Sequence, residues 1–228
     1  MKIARLPKQA DVCPLVVCLF ICLLGSLFAQ ANASHKNVLR WVEGQPGCTF
    51  SADDDGKYRY GIWTDDFGLV IAVDADEVRK AKLRAEPLFA VFVTVRSRGR
   101  EEVSINPTES TLEFVNHYQT IQKAIDSDAF ADKFQREAAT LPAKGQEDRS
   151  KNLTETAQFL KSRSLRTAKL DGLSPEATGW IFFSAKSKWI GDWKAQEQFV
   201  LRVPLGRFVL EFPFALPPTR GDLLLRRR

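Results

Sequence analysis

Hydrophobic and polar positions change their rhythm three times along this chain. An almost wholly apolar run from Leu15 to Phe28 stands first, behind Lys2, Arg5 and Lys8 and ahead of small residues at Ala29, Ala31 and Ala33. That is the layout a signal peptidase reads, and it predicts a signal peptide over 1–33 with cleavage after Ala31 or Ala33. The run falls short of the roughly 20 apolar residues that a spanning helix needs. A retained anchor is the alternative, and under it alone would a membrane be a partner. From Tyr58 the period is two. Tyr58, Tyr60 and Ile62 alternate with Arg59, Gly61 and Trp63 behind a turn cluster at Asp53–Gly56, which predicts a half-buried strand. Asp65, Asp66 and Gly68 punctuate before Leu69–Val73, the second arm of a hairpin. Asp76–Lys82 predicts one or two helical turns. Leu88–Arg96 is apolar on both faces as far as Thr94 and predicts a central strand, and Val103–Ile105 predicts a short one ended by Pro107.

The spacing then lengthens. Phe114, Tyr118, Ile121 and Ile125, continued by Ala129, Phe134, Ala138 and Leu141, predict an amphipathic helix broken near Asp126–Asp128. Pro142–Ser150 reads as a solvated linker. Asn152 with Glu155 resembles a capping box, opening a second helix with a weaker face of Leu153, Ala157, Leu160, Leu165 and Ala168. Strand character returns at Gly179–Ser184, Phe199–Val203 and Arg207–Phe212, the last two joined across Pro204–Gly206. Pro213, Pro217, Pro218 and Gly221 break regular structure and leave 219–228 as a basic tail. Strands, then helices, then strands predict a mainly β fold: a β-sandwich forming a single domain over 34–218, with a helical insertion at about 114–170.

Phe92, Val93, Val95 and Gly99, then Val103, Ile105 and Pro107, and later Pro175, Gly179, Ile181 and Phe183 carry a resemblance. They resemble the extracytoplasmic immunoglobulin-like domains of many uncharacterised bacterial secreted proteins. The resemblance covers about half of the mature chain, implies an immunoglobulin-like sandwich and brings no site residues with it.

Composition adds the compartment's consequences. Cys13, Cys18 and Cys22 all lie in the leader, so Cys48 alone remains and no internal disulfide can form. Stability must come from a core, with Cys48 packed beside Phe50. Cys22 follows Leu19, Phe20 and Ile21 in mid-run, which argues against lipidation there. The net charge of +5 falls to about +3 once the leader is removed, a balance that gives no reason to expect a nucleic-acid partner.

No pattern of catalytic residues stands out. The two histidines are His35 and His117, no G-x-S-x-G elbow accompanies them, and one Cys with two distant His falls short of a transition-metal site. Ser51, Asp53, Asp55 and Gly56 mimic the start of a calcium loop, but Ile62 occupies the position of the bidentate Glu. Phosphate-binding glycine loops are absent, so no cofactor is expected. What remains is a long connection carrying Trp189 and Trp193 with Lys186, Lys188 and Lys194, residues that suit recognition of a protein or envelope component. The competing expectation is that Trp180 is core and that Trp189 and Trp193 fold the loop back onto the sheets. The functional expectation is a secreted or periplasmic, non-enzymatic binding or envelope-associated module. A carboxylate-dependent hydrolase and a membrane-tethered assembly subunit are the alternatives.

Overall fold

A computed structural model describes residues 37–52, 57–74, 86–186, 189–190 and 196–216. The predicted leader, the turn at Asp53–Gly56, the helical turns at Asp76–Lys82 and the basic tail lie outside the described residues. The strands are β1 (Asn37–Arg40), β2 (Cys48–Ala52), β3 (Lys57–Trp63), β4 (Phe67–Asp74), β5 (Leu88–Ser97), β6 (Val103–Ile105), β7 (Thr111–Phe114), β8 (Thr120–Lys123), β9 (Ala168–Leu170), β10 (Glu176–Ser184), β11 (Glu197–Leu205) and β12 (Phe208–Leu216). Helices α1 (Ser127–Thr140) and α2 (Glu147–Arg163) stand between β8 and β9.

The strands form two sheets. One runs β10-β5-β4-β3-β2, antiparallel throughout. In the other, β1 lies parallel to β12, β12 pairs with β11, and β11 is flanked on its far side first by β7 and then by β6. β6 and β7 are therefore one lane, interrupted where Pro107–Glu109 makes a 3-10 turn capped by Asn106. Alternation explains the packing. Phe199, Leu201, Val203 and Leu205 of β11 and Leu210, Phe212 and Phe214 of β12 are buried in one core with Leu69, Ile71 and Val73 of β4 and Phe89, Val91, Val93 and Val95 of β5. Phe199 stacks on Phe214 at 5.2 Å between ring centroids, and Phe89 reaches Phe199 at 5.0 Å. Each such side chain contributes about 1.5–3 kcal/mol by leaving water.

β5 carries apolar residues on its second face as well. Leu88 and Ala90, with Phe182 of β10, form a separate core with Ala131, Phe134 and Ala138 of α1 and Leu153, Ala157 and Leu160 of α2. The helical hairpin thus covers the β5–β10 side of the outer face of the five-stranded sheet.

Consecutive strands β2 to β5 are neighbours within one sheet, an up-and-down order, whereas the constant-type immunoglobulin arrangement keeps no more than two successive strands in one sheet. The helical region also begins later than its spacing predicts. Residues 114–125 are not helical: Thr111–Phe114 and Thr120–Lys123 form a hairpin, with Tyr118 and Gln119 in the left-handed region at φ 56° and 52°. The apparent stripe fails because Tyr118 is fully exposed and Ile121 is 57% exposed, while Phe114 is claimed by the core between the sheets. Asp126, read as a break, caps the start of α1, its Oδ1 accepting from the amides of Asp128 and Ala129. Asn152 does not open the second helix, which starts at Glu147 just after Gly145 at φ 69°. The β11–β12 turn falls on Gly206 and Arg207, and Pro213 lies within β12 past the end of β1, where a proline costs no pairing on that side.

The chain returning from α2 crosses β10 at Gly179. A Cβ there would lie 2.5 Å from the Leu165 amide nitrogen and 2.8 Å from the Ser164 carbonyl carbon, both backbone atoms. Gly179→Ala is expected to cost about 1–3 kcal/mol through this overpacking, read as a lower urea midpoint at unchanged slope.

Candidate functional site

The expected tryptophan loop is only in part a surface. Trp189 is buried at 8% exposure, its ring stacked on His117 at 5.0 Å and 18° and tilted against Phe114 at 5.2 Å. Lys186 is exposed, with Nζ 4.9 Å from the Trp189 ring centroid. Lys188, Trp193 and Lys194 lie outside the described residues. Of the two expectations for this loop, the structure meets the second at 189: the indole packs on the β7–β8 turn, which corrects Trp189 as a surface residue. His117 belongs to that turn rather than to a helix, and its Nε2 stands 3.2 Å from Glu197 Oε2. The same region is tied to β11 by the Gln198 amide, which donates to Asn116 Oδ1 at 2.6 Å. Trp180 is half-buried, edge-on to Phe92 at 5.4 Å.

A cleft of about 380 Å³ opens where the helical hairpin leaves and rejoins the sheets, lined among others by Thr108, Asp126, Asp128, Arg166, Thr167 and Trp180. Its carboxylates already hold the fold together. Asp126 caps α1, and Asp128 pairs with Arg166, whose other terminal nitrogen donates to the Lys161 carbonyl at 2.7 Å. On the outer face of the seven-stranded sheet, Arg40, Glu211, Arg202 and Glu113 form a charge ladder at 2.5, 2.9 and 2.9 Å. Burial disfavours the charged form of Arg202, but hydrogen bonds with Glu113 and Glu211 outweigh it and hold the guanidinium above its ordinary range. This ladder fixes sheet register and leaves its charges mutually satisfied. Among the described residues, no group of three or more His, Cys, Asp or Glu side chains is arranged to hold a metal ion.

The outer face of the five-stranded sheet differs in kind. Register places three rows across it: Arg59, Ala72, Phe92 and Trp180; Gly61, Val70, Thr94 and Thr178; Trp63, Gly68, Arg96 and Glu176. Trp63 ends β3, and its indole lies across the two glycines beside it. A Cβ on Gly68 would fall 2.3 Å from ring carbons Cε3 and Cζ3, and one on Gly61 2.9 Å from Nε1. Nε1 donates to Thr49 Oγ1 at 3.1 Å. The Trp63 amide donates to the Gly47 carbonyl at 2.7 Å, and Gly47, at φ 81°, has no room for a side chain because its Cβ would sit 2.6 Å from the Trp63 carbonyl oxygen. Three glycines and a threonine are therefore fitted to one tryptophan. The half-buried ring borders a cleft of about 250 Å³ lined by Arg59, Val70, Phe92, Thr94 and Arg96. Arg98, hydrogen-bonded to the Thr64 carbonyl, brings its guanidinium to 5.8 Å from the Trp63 centroid, within cation–π range.

No protein-family model and no curated protein matches the chain. A solved structure that does match is that of "a putative lipoprotein (ycdA)" from Bacillus subtilis, with a TM-score of 0.34 and 12% identity over 79% of this chain. The chain spans 41% of that protein's length, and at this TM-score the likeness assigns neither fold nor function.

Sequence reasoning passed over Trp63 because it counted the residue as the outward half of an alternating strand. The signal was present in Gly61 and Gly68. A glycine inside a strand marks a close approach, and two of them beside one tryptophan mark where its ring lies. The contrast between the two tryptophans is testable. Trp189→Ala is expected to cost about 3–5 kcal/mol in chemical denaturation; an unfolding free energy equal to wild type would show that Trp189 is not packed.

Proposed function

We propose that this protein is an extracytoplasmic, non-enzymatic binding module associated with the cell envelope, and that it binds through the outer face of the five-stranded sheet around Trp63. The leader pattern at 1–33 supports the compartment. The observation that carries the surface is the fit of Gly61, Gly68 and Thr49 around one indole, with Gly47 against its backbone, which spreads a broad aromatic face on a sheet that the described helices cover on its β10 side. An aromatic ring fixed at several points meets a ligand with little conformational entropy left to lose. The cleft beside it joins apolar floor, hydroxyl and guanidinium groups, the mixture that orients a bound molecule. The carboxylates of the larger cleft are engaged in structural pairs, which favours binding over hydrolysis as the chain's work.

Expression of the full chain with its leader, followed by N-terminal sequencing and cosedimentation with the insoluble envelope fraction, tests this reading. The exported protein is expected to begin at Asn32 or Ser34 and to sediment with envelope, and Trp63→Ala is expected to stay in the supernatant while unfolding cooperatively. A chain that is never exported, or a folded Trp63→Ala protein that sediments like wild type, contradicts it.

A further inference from the structure

The charges beside Trp63 narrow what the surface can hold. Arg59 and Arg96 line the cleft from different rows, and Arg98 reaches the ring from beyond the end of β5. Glu176 meets Arg96, its Oε2 accepting from Nε at 2.5 Å, and the Arg96 side chain is 56% exposed. Among the described residues, the two terminal nitrogens of Arg96 carry no hydrogen bond, although they are the pair of donors best matched to a carboxylate. The surface thus sets an apolar floor of Val70 and Phe92, the Thr94 hydroxyl and the terminal nitrogens of Arg96 against one flat indole.

We infer that the cleft takes an acidic saccharide, with the C–H face of a pyranose ring on the Trp63 indole and the ring's carboxylate on the terminal nitrogens of Arg96. The inference rests on the binding reading above and names the ligand class for that surface. Size, shape and charge all bear on it. At about 250 Å³ the cleft is smaller than the roughly 300–1,000 Å³ of sites that enclose a drug-sized ligand, so it seats one ring of a longer chain running across an open sheet. A pyranose offers one apolar face and a rim of hydroxyls, which suits an indole laid parallel to the sheet with Thr94 and arginines around it. A carboxylate on the ring suits the two terminal nitrogens that the pairing with Glu176 leaves to Arg96, in the planar geometry that arginine reads and lysine does not. The contact is exposed, so salt weakens the acidic part of the affinity and leaves the stacking part.

Calorimetric titration of the chain from Ser34 with tetragalacturonic acid and with its carboxyl-reduced counterpart, the same sugar without the acid groups, separates the terms. Wild type is expected to bind the acid form about tenfold more tightly than the reduced form at low salt, which corresponds to one charge-assisted contact. Arg96→Gln, an exposed change that does not threaten the fold, is expected to bring that ratio close to one, and Trp63→Ala is expected to lose both ligands. Equal affinities in wild type overturn the acidic assignment and leave the Trp63 surface standing. Failure of folded wild type to bind either sugar overturns the saccharide inference, while loss of envelope sedimentation in Trp63→Ala remains the separate measure of the surface.

Discussion

Burial of both faces of β5 is the constraint from which the rest of the structure follows. Val91, Val93 and Val95 must meet the opposite sheet, and Leu88 and Ala90 must meet something else. That requirement brings the helical hairpin onto the β5–β10 side, where Phe134, Ala138, Leu153 and Leu160 close over Phe182. The hairpin in turn needs a route back to the sheets, and Gly179 provides it by leaving out a side chain under Ser164 and Leu165. On this face, among the described residues, the helices cover the β10 end and leave the β3–β4 end, so the position of the candidate binding surface follows from where the second core stops.

Glycine recurs in this structure for two different reasons. Gly145 and Gly206 serve conformation, with positive φ at turns. Gly61, Gly68 and Gly179 serve approach: another group occupies the space their side chains would fill. At 179 that group is backbone and the gain is a packed crossover. At 68 it is the indole of Trp63, and at 61 the Thr49 hydroxyl together with the indole nitrogen that donates to it; the gain is a ring spread along the sheet, which also compensates the stabilisation that strand glycines forgo.

The local period made much of the fold legible. The hairpin of β3 and β4, the two-faced β5 and the closing pair β11 and β12 were all readable from alternation and turn residues, because those strands bury one or both faces completely. The stretch from Phe114 to Ile125 misled because its apolar residues happen to recur at helical spacing, while the left-handed turn at Tyr118 and Gln119 carries no glycine to announce it. The candidate site was hidden for a related reason. Trp189, in a basic loop, has the composition of a recognition surface but is drawn into the core by Phe114 and His117. Trp63, in an ordinary strand, becomes a surface through partners two residues back and across the hairpin, a relation that composition does not register.

The central claim is that Trp63, rather than the tryptophan of the later loop, meets the ligand. Indole nitrogen–proton correlation spectra give one signal per tryptophan, and titrating labelled protein with an acidic oligosaccharide reports on each ring separately. The account predicts that the Trp63 signal, whose proton is shared with Thr49, shifts progressively to saturation while that of Trp189 stays in place. A saturating shift at Trp189 with Trp63 unmoved would contradict it.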